Sequence, residues 1–341
     1  LSLASAGGQV LRAAEERPLE DTPADFKALI PEQETAIEKA AAWLGRNQNK
    51  DGSWSSTSGP SYQCAMTGLA GLALLSMGDT PNRGKFGRPL AKAIRYLLKQ
   101  QDATGLISAN DEGRSMYGHG FAMTFLSQCQ GMGVEEDLAP QIRQCLEKAV
   151  KLTARAQSAL GGWYYSPDSS GDEGSVTVTQ VQALRGCRNI GIEIPVKMLE
   201  RAIDYIKKSQ QPDGGVAYRA GMSGSRPALS AAGAELFLMA GLYNDRETLR
   251  AVEYVKRNVT SASSQQNHDS YTTFYAAQAL HQMGGKAWAQ YFDERRKRYL
   301  REQGSDGSWR YTGWGASPVF DTAIAMVTLG LPYEYLPLYQ R

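Results

Sequence analysis

Two kinds of apolar pattern alternate along this chain. Counting back 11, 7 and 4 residues from Gln48 gives Ile37, Ala41 and Leu44, and the same count from Gln101 gives Leu90, Ile94 and Leu97. From Gln157 it gives Leu146, Val150 and Thr153, and from Gln210 Leu199, Ile203 and Ile206. Spacings of four and three place each set on one stripe of an α-helix, with charge on the other faces. Between these stripes lie segments such as QCAMTGLAGLALLSMG and GHGFAMTFLSQCQGMG, small and apolar almost all round. A helix of that kind needs neighbours on most sides. The stripes therefore predict outer helices, and the segments between them predict inner ones. A fifth stripe keeps Val252 and Val255; a sixth keeps Phe292 and Tyr299 but sets Arg296 between them.

A seven-residue mark closes each outer helix. QNKDGSW begins at Gln48, QDATGLI at Gln101, QSALGGW at Gln157, QQPDGGV at Gln210 and QGSDGSW at Gln303, with Val259 in the Gln position of a degenerate slot. The intervals are 53, 56, 53, 49 and 44 residues, a period of about fifty that belongs to repeat architectures. The Asp-Gly or Gly-Gly pair supplies a turn with positive φ, and Trp54, Trp163 and Trp309 offer apolar surface to cover a junction. The Gln amide can satisfy backbone groups at helix ends. Gln48, Gln101, Gln157, Gln210, Gln303 and the three tryptophans thus read as structural repeat residues. Six outer and six inner helices cannot bury the inner row unless the hairpins close on themselves. The expectation is an all-α, double-layered α/α toroid of about six hairpins and twelve helices, spanning residues 32–341 as one domain behind an extended lead-in over 1–31.

Marks of this form at this spacing resemble the prenyltransferase and squalene oxidase repeats of terpenoid cyclases and protein prenyltransferase β subunits. The likeness covers roughly Glu32 to Pro332. It implies a toroid with a central cavity that accepts an isoprenoid chain, and it leaves the chemistry open. Squalene-type cyclases protonate their substrate with Asp-x-Asp-Asp-Thr-Ala at the start of an inner helix. The matching stretch here is Pro318-Val319-Phe320-Asp321-Thr322-Ala323, in which Phe320 stands where the proton-carrying Asp would be. A phenyl ring cannot act as a general acid. The Asp-x-Cys and later His that hold zinc in prenyltransferases have no match beyond a loose one at His268, and the Gly-Cys-Gly-Glu-Gln of thioester toroids is missing.

Composition narrows the partners. A net charge of +2 in 341 residues, with 21% charged residues and no aromatic-basic interleaving, excludes a nucleic-acid binder. Apolar runs of about fifteen residues are too short to span a bilayer. The opening LSLASAGG resembles the tail of a signal peptide, which implies export; read as an arbitrary start it implies a cytoplasmic protein. Cys64, Cys129, Cys145 and Cys187 lie apart on predicted helices and read as buried thiols.

In a ring of antiparallel hairpins the N-termini of all inner helices gather at one mouth, where their partial positive charges favour anionic or electron-rich groups. Candidate mouth and cavity residues are Tyr62, Tyr117, His119, His268, Tyr271 and Asp321, joined by rim carboxylates Asp111, Glu112, Asp168, Asp172 and Glu173. His119 reads as a core histidine or as an acid, base or ligand; Asp321 reads as a helix cap as well. No metal site and no cofactor is predicted. Two functions remain: a toroid that binds a small isoprenoid-like molecule or a peptide without cyclase or prenyltransferase chemistry, or a polysaccharide lyase or glycosidase using rim carboxylates, His and Tyr.

Overall fold

A computed structural model describes residues 22–24, 26–57, 61–109, 113–259, 268–311 and 317–340. It contains α1 (Pro31–Arg46), α2 (Gln63–Leu75), α3 (Gly87–Lys99), α4 (Ser115–Gln130), α5 (Leu138–Ala156) and α6 (Gly174–Asn189). These are followed by α7 (Val196–Ser209), α8 (Pro227–Met239), α9 (Arg246–Asn258), α10 (Asp269–Met283), α11 (Gly285–Glu302) and α12 (Pro318–Gly330). The even helices pack in the order α2, α4, α6, α8, α10, α12 and back onto α2, so the inner row closes. The odd helices form the outer layer. Ile203 and Ile206, on the predicted inward stripe of α7, are buried, as are Leu90, Ile94 and Leu97 on α3. The fold is an α/α toroid.

The repeated mark turns out to be a clamp between successive outer helices. Each Gln side chain donates twice: once to the carbonyl of its own mark's Gly, and once to a carbonyl inside the next outer helix. Gln48 reaches Pro89 on α3 and Gln101 reaches Cys145 on α5; Gln157 reaches Met198 on α7 and Gln210 reaches Glu247 on α9. Gln303 reaches Ala36 on α1 at 2.8 Å and closes the ring. The second acceptor thus lies within a neighbouring helix rather than at an unpaired helix end, the partner expected from sequence. The Gly is required twice over. Gly307 has φ +96°, and a Cβ there would sit 2.5 Å from the Lys39 carbonyl oxygen, a contact repeated at the other four clamps.

The tryptophans complete the clamp from inside. Trp54, Trp163 and Trp309 are fully buried, and each indole N–H donates to a carbonyl of its own outer helix, at Leu44, Thr153 and Tyr299. The unit with Val259 has no such Gln. On the next outer helix, α11, Arg295 and Arg298 pair with Asp269 of α10 at 3.2 and 2.8 Å. Arg296, which breaks the apolar stripe, donates to the carbonyl of Lys27 and pairs with Asp293. It fastens the lead-in, where Phe26 packs edge-on against Phe292.

The axis of the ring is filled from the middle to the far end. Gln182 on α6 donates to Gln278 on α10 at 2.7 Å, and Gln282 on α10 donates to the buried Glu235 on α8. From the far end the C-terminal turn Pro337–Tyr339 enters, its Leu338 N–H held by Gln128 and its Tyr339 ring edge-on to Phe274.

Candidate functional site

Four sequence candidates separate cleanly once their surroundings are known. His119 faces the outer layer. Its Nδ1 accepts the Ile107 N–H at 3.1 Å, its Nε2 meets Thr153 Oγ1, and the ring is fully buried. In four other units the same N–H is taken by Thr67, Thr177, Ser230 or Thr322. His119 is therefore the local form of a recurring anchor, and burial pushes its pKa down to about 4, leaving it neutral. The reading of His119 as a mouth residue is corrected to a core one.

Asp321 is not a cap either: Ser317 is the N-cap residue of α12. The Asp321 carboxylate lies buried inside the first turn, accepting from the Ser270 hydroxyl of α10 at 2.6 Å and from the Tyr311 N–H at 3.0 Å. Burial raises its pKa to about 6 against those hydrogen bonds. It ties α12 to α10 and to the loop after Trp309. Phe320 beside it is half-buried. Tyr62 and His268 occupy the N-cap positions of α2 and α10 with φ of 42° and 85°, a backbone region costly for side chains of this size. Tyr62 is half-buried and His268 exposed.

Tyr117 and Tyr271 do meet. Tyr117, in the first turn of α4, places its hydroxyl 2.5 Å from Ser175 Oγ on α6, and Tyr271, in the first turn of α10, donates to the Ser175 carbonyl at 3.4 Å. Both side chains are strongly desolvated by the groups around them and yet only half-buried, which leaves them lining a recess open to solvent. Its floor is aromatic. Phe121 and Phe274 approach across the axis with ring centroids 6.3 Å apart, and Tyr275 meets Thr179 Oγ1 at 3.2 Å. Burial and the nearby Glu173 charge hold the Tyr117 hydroxyl protonated, its pKa far above the ordinary phenol value.

Glu173 is the charged residue at the centre of this end, and it is fully buried. It caps α6, accepting the Val176 N–H at 2.5 Å, the Ser175 N–H at 3.0 Å and the Ser175 hydroxyl at 2.6 Å. Desolvation nevertheless raises its pKa. Next to it Tyr165 and Tyr218 share a hydrogen bond of 2.6 Å, and Arg114 lies 4.4 Å from the Tyr165 ring centre. Arg219 stacks on Tyr164 and Tyr218. Ser175, Tyr165, Tyr218 and Tyr275 were missed in the sequence. Tyr218 and Tyr165 carry a legible signal, since both follow a mark by two residues.

Of the other rim carboxylates, Asp168 and Asp172 are engaged locally. Asp168 is wrapped by Ser166 and Ser170 of its own loop, and the buried Asp172 accepts from the Ser158 hydroxyl. Asp111 and Glu112 lie outside the described residues. Cys64, Cys129, Cys145 and Cys187 are buried free thiols, and no group of three metal-ligating side chains occurs among the described residues. No described helix is long and apolar enough to cross a membrane.

No protein-family model matches the sequence. The toroid superimposes on a variant of the type II terpene cyclase MstE from Scytonema, in complex with its substrate geranylgeranyl dihydroxybenzoate. The TM-score is 0.62 at 16% identity, over 90% of this chain and 98% of that one. The fold is that of the terpenoid-cyclase-like toroids. It is shared with carbohydrate enzymes: an α-1,6-mannanase of Salegentibacter aligns with a TM-score of 0.64 at 8% identity over 87% of this chain and 98% of its own. Among curated sequences, drimenyl diphosphate synthase of Streptomyces showdoensis is 26% identical over 199 residues, 57% of this chain. The match spans 34% of that enzyme, about a third of its length.

Proposed function

We propose that the recess among Tyr117, Ser175 and Tyr271 binds the end of an isoprenoid-like small molecule, and that the protein does so without cyclising it. The observation that carries this reading is the pair of deep, half-open tyrosines converging on Ser175 from α4 and α10. They give the recess aromatic walls, apolar on their faces and polar at one point, which is the usual composition of a small-molecule site. A terpene cyclase with the same toroid holds a geranylgeranyl compound. Cyclisation is argued against by Phe320, at the position of the alkene-protonating acid, and by the commitment of Asp321 to Ser270 and Tyr311. A carbohydrate enzyme on this fold would need carboxylates facing a groove. Among the described rim carboxylates, Asp168 and Asp172 are turned to serines and Glu173 caps α6.

The test is incubation of the purified protein with squalene, geranylgeraniol and geranylgeranyl diphosphate, followed by product analysis and thermal melts. The expected result is unchanged isoprenoids, with at least one raising the melting temperature, as a ligand specific to the folded state must. A cyclic product that disappears in Asp321→Asn would overturn the reading.

A further inference from the structure

Hydrogen counting at the recess goes one step further and rests on the reading just given. Ser175 has one hydroxyl proton, and Glu173 takes it, at 2.6 and 2.8 Å to the two carboxylate oxygens. The Val176 and Ser175 N–H groups occupy the same oxygens, so three donors converge on Glu173, the pattern of an ionised carboxylate. The 2.5 Å contact between Tyr117 and Ser175 can then have only one direction: the Tyr117 phenol donates to Ser175 Oγ. Its proton is spent. What the Tyr117 oxygen presents to the recess is a lone pair.

Tyr271 spends its proton as well, between the Ser175 carbonyl at 3.4 Å, which Thr179 Oγ1 also addresses at 2.9 Å, and the Tyr275 hydroxyl beside it. Of these two hydroxyls, Tyr117 is turned into an acceptor by the chain leading to Glu173, and Tyr271 by the backbone carbonyl of Ser175. Among the described residues, the charges facing the cluster are Glu173 and, from the start of α4, Arg114 against Tyr165. They oppose one another. Arg219 lies beyond, stacked on Tyr164 and Tyr218. One member of the Tyr165–Tyr218 pair keeps a proton of its own, whichever way the bond between them runs.

We infer that the recess selects a ligand by a hydrogen-bond donor at its end, a hydroxyl in the simplest case, which it receives on the Tyr117 oxygen. An unpaired acceptor in a site closed by ligand disfavours a head that can only accept, because the Tyr117 lone pair is then left without a partner. The selection is made by Glu173 through Ser175, two atoms removed from the ligand.

Three probes with one carbon chain test this by calorimetric titration: geranylgeraniol, its methyl ether and its diphosphate. The alcohol is expected to bind about 10-fold more tightly than the ether, the equivalent of one hydrogen bond. In Tyr117→Phe, which keeps the ring and loses the acceptor, the difference between alcohol and ether should vanish, the alcohol losing its bond and the ether no longer stranding a lone pair. Equal binding of alcohol and ether by the wild type, or a diphosphate that outbinds both, overturns the inference and leaves the isoprenoid site standing. Should none of the three bind, the site itself is refuted.

Discussion

The belt of outer helices and the mouth of the ring are built from the same twelve helices under opposite rules. In the belt one residue type recurs because one task recurs. Five glutamines make the same pair of bonds, and five glycines with φ between +93° and +102° approach the next helix in the same way. In the mouth nothing recurs: α4 contributes Tyr117, α6 contributes Ser175 and its cap Glu173, and α10 contributes Tyr271. Recurrence marks what every junction needs to stay closed. Departure from it marks where one unit does something its neighbours do not. His119 shows the limit of that rule, since it departs in type while keeping the recurring task.

If belt and mouth divide the work in this way, damage to each should be read by different measurements. The largest effect is expected at the belt. Trp309→Ala removes a fully buried indole and its bond to Tyr299, and should cost about 3–5 kcal/mol in denaturant melts. A loss within about 0.5 kcal/mol, the range of ordinary surface changes, would break the comparison at its stronger end. Gly307→Ala forces an L side chain into positive φ against the Lys39 carbonyl and should cost at least about 1–2 kcal/mol. Gln303→Ala, which opens the clamp between the last unit and α1, should cost about 1–2 kcal/mol through its two lost bonds.

Two of the buried titrating groups, Asp321 and His119, sharpen the comparison with opposite signs. The folded-state pKa of Asp321, raised from 3.8 to about 6, means that the folded protein holds that proton more tightly than the unfolded chain. Its contribution therefore falls as pH rises from about 4 to about 6. His119, lowered from 6.5 to about 4, binds its proton less readily when folded, so stability falls as pH drops through that range. Melts of Asp321→Asn and His119→Gln across pH 4–7 should each flatten one of these slopes, by an amount of about 2 kcal/mol or less. Smallest of all is the effect of Tyr117→Phe on stability. It leaves the ring in place and should change the melt by less than about 1 kcal/mol.

Much of the fold was legible because a toroid repeats itself in sequence. The stripe ending at each Gln and the all-round apolar inner segments implied two layers, and the six-fold count implied closure. Even the identity of His119 could be read, by aligning the inner helices on the residue 12 to 14 positions after each mark, where Thr67, Thr177, Ser230 and Thr322 stand. Arg296 was legible only as an interruption, because its partner is the Lys27 carbonyl, 269 residues away. The mouth was legible by level and not by contact. Helix register brings Tyr117 and Tyr271 to one end of the ring, but the distance between α4 and α10 across the axis depends on how far the filled centre lets the inner helices approach. Ser175 escaped notice for the same reason, being an ordinary first-turn serine until Glu173, Tyr117 and Tyr271 are placed around it.

The division between belt and mouth is tested most directly by one paired experiment. Binding of geranylgeraniol and thermal stability are measured side by side for the wild type, Tyr271→Ala and Gln303→Ala, at a temperature where all three are folded. The account predicts that Tyr271→Ala loses at least about 10-fold in affinity, whereas Gln303→Ala melts earlier and binds as the wild type does. Undiminished binding by Tyr271→Ala, or a Gln303→Ala protein that loses affinity while its melting temperature is unchanged, would contradict it.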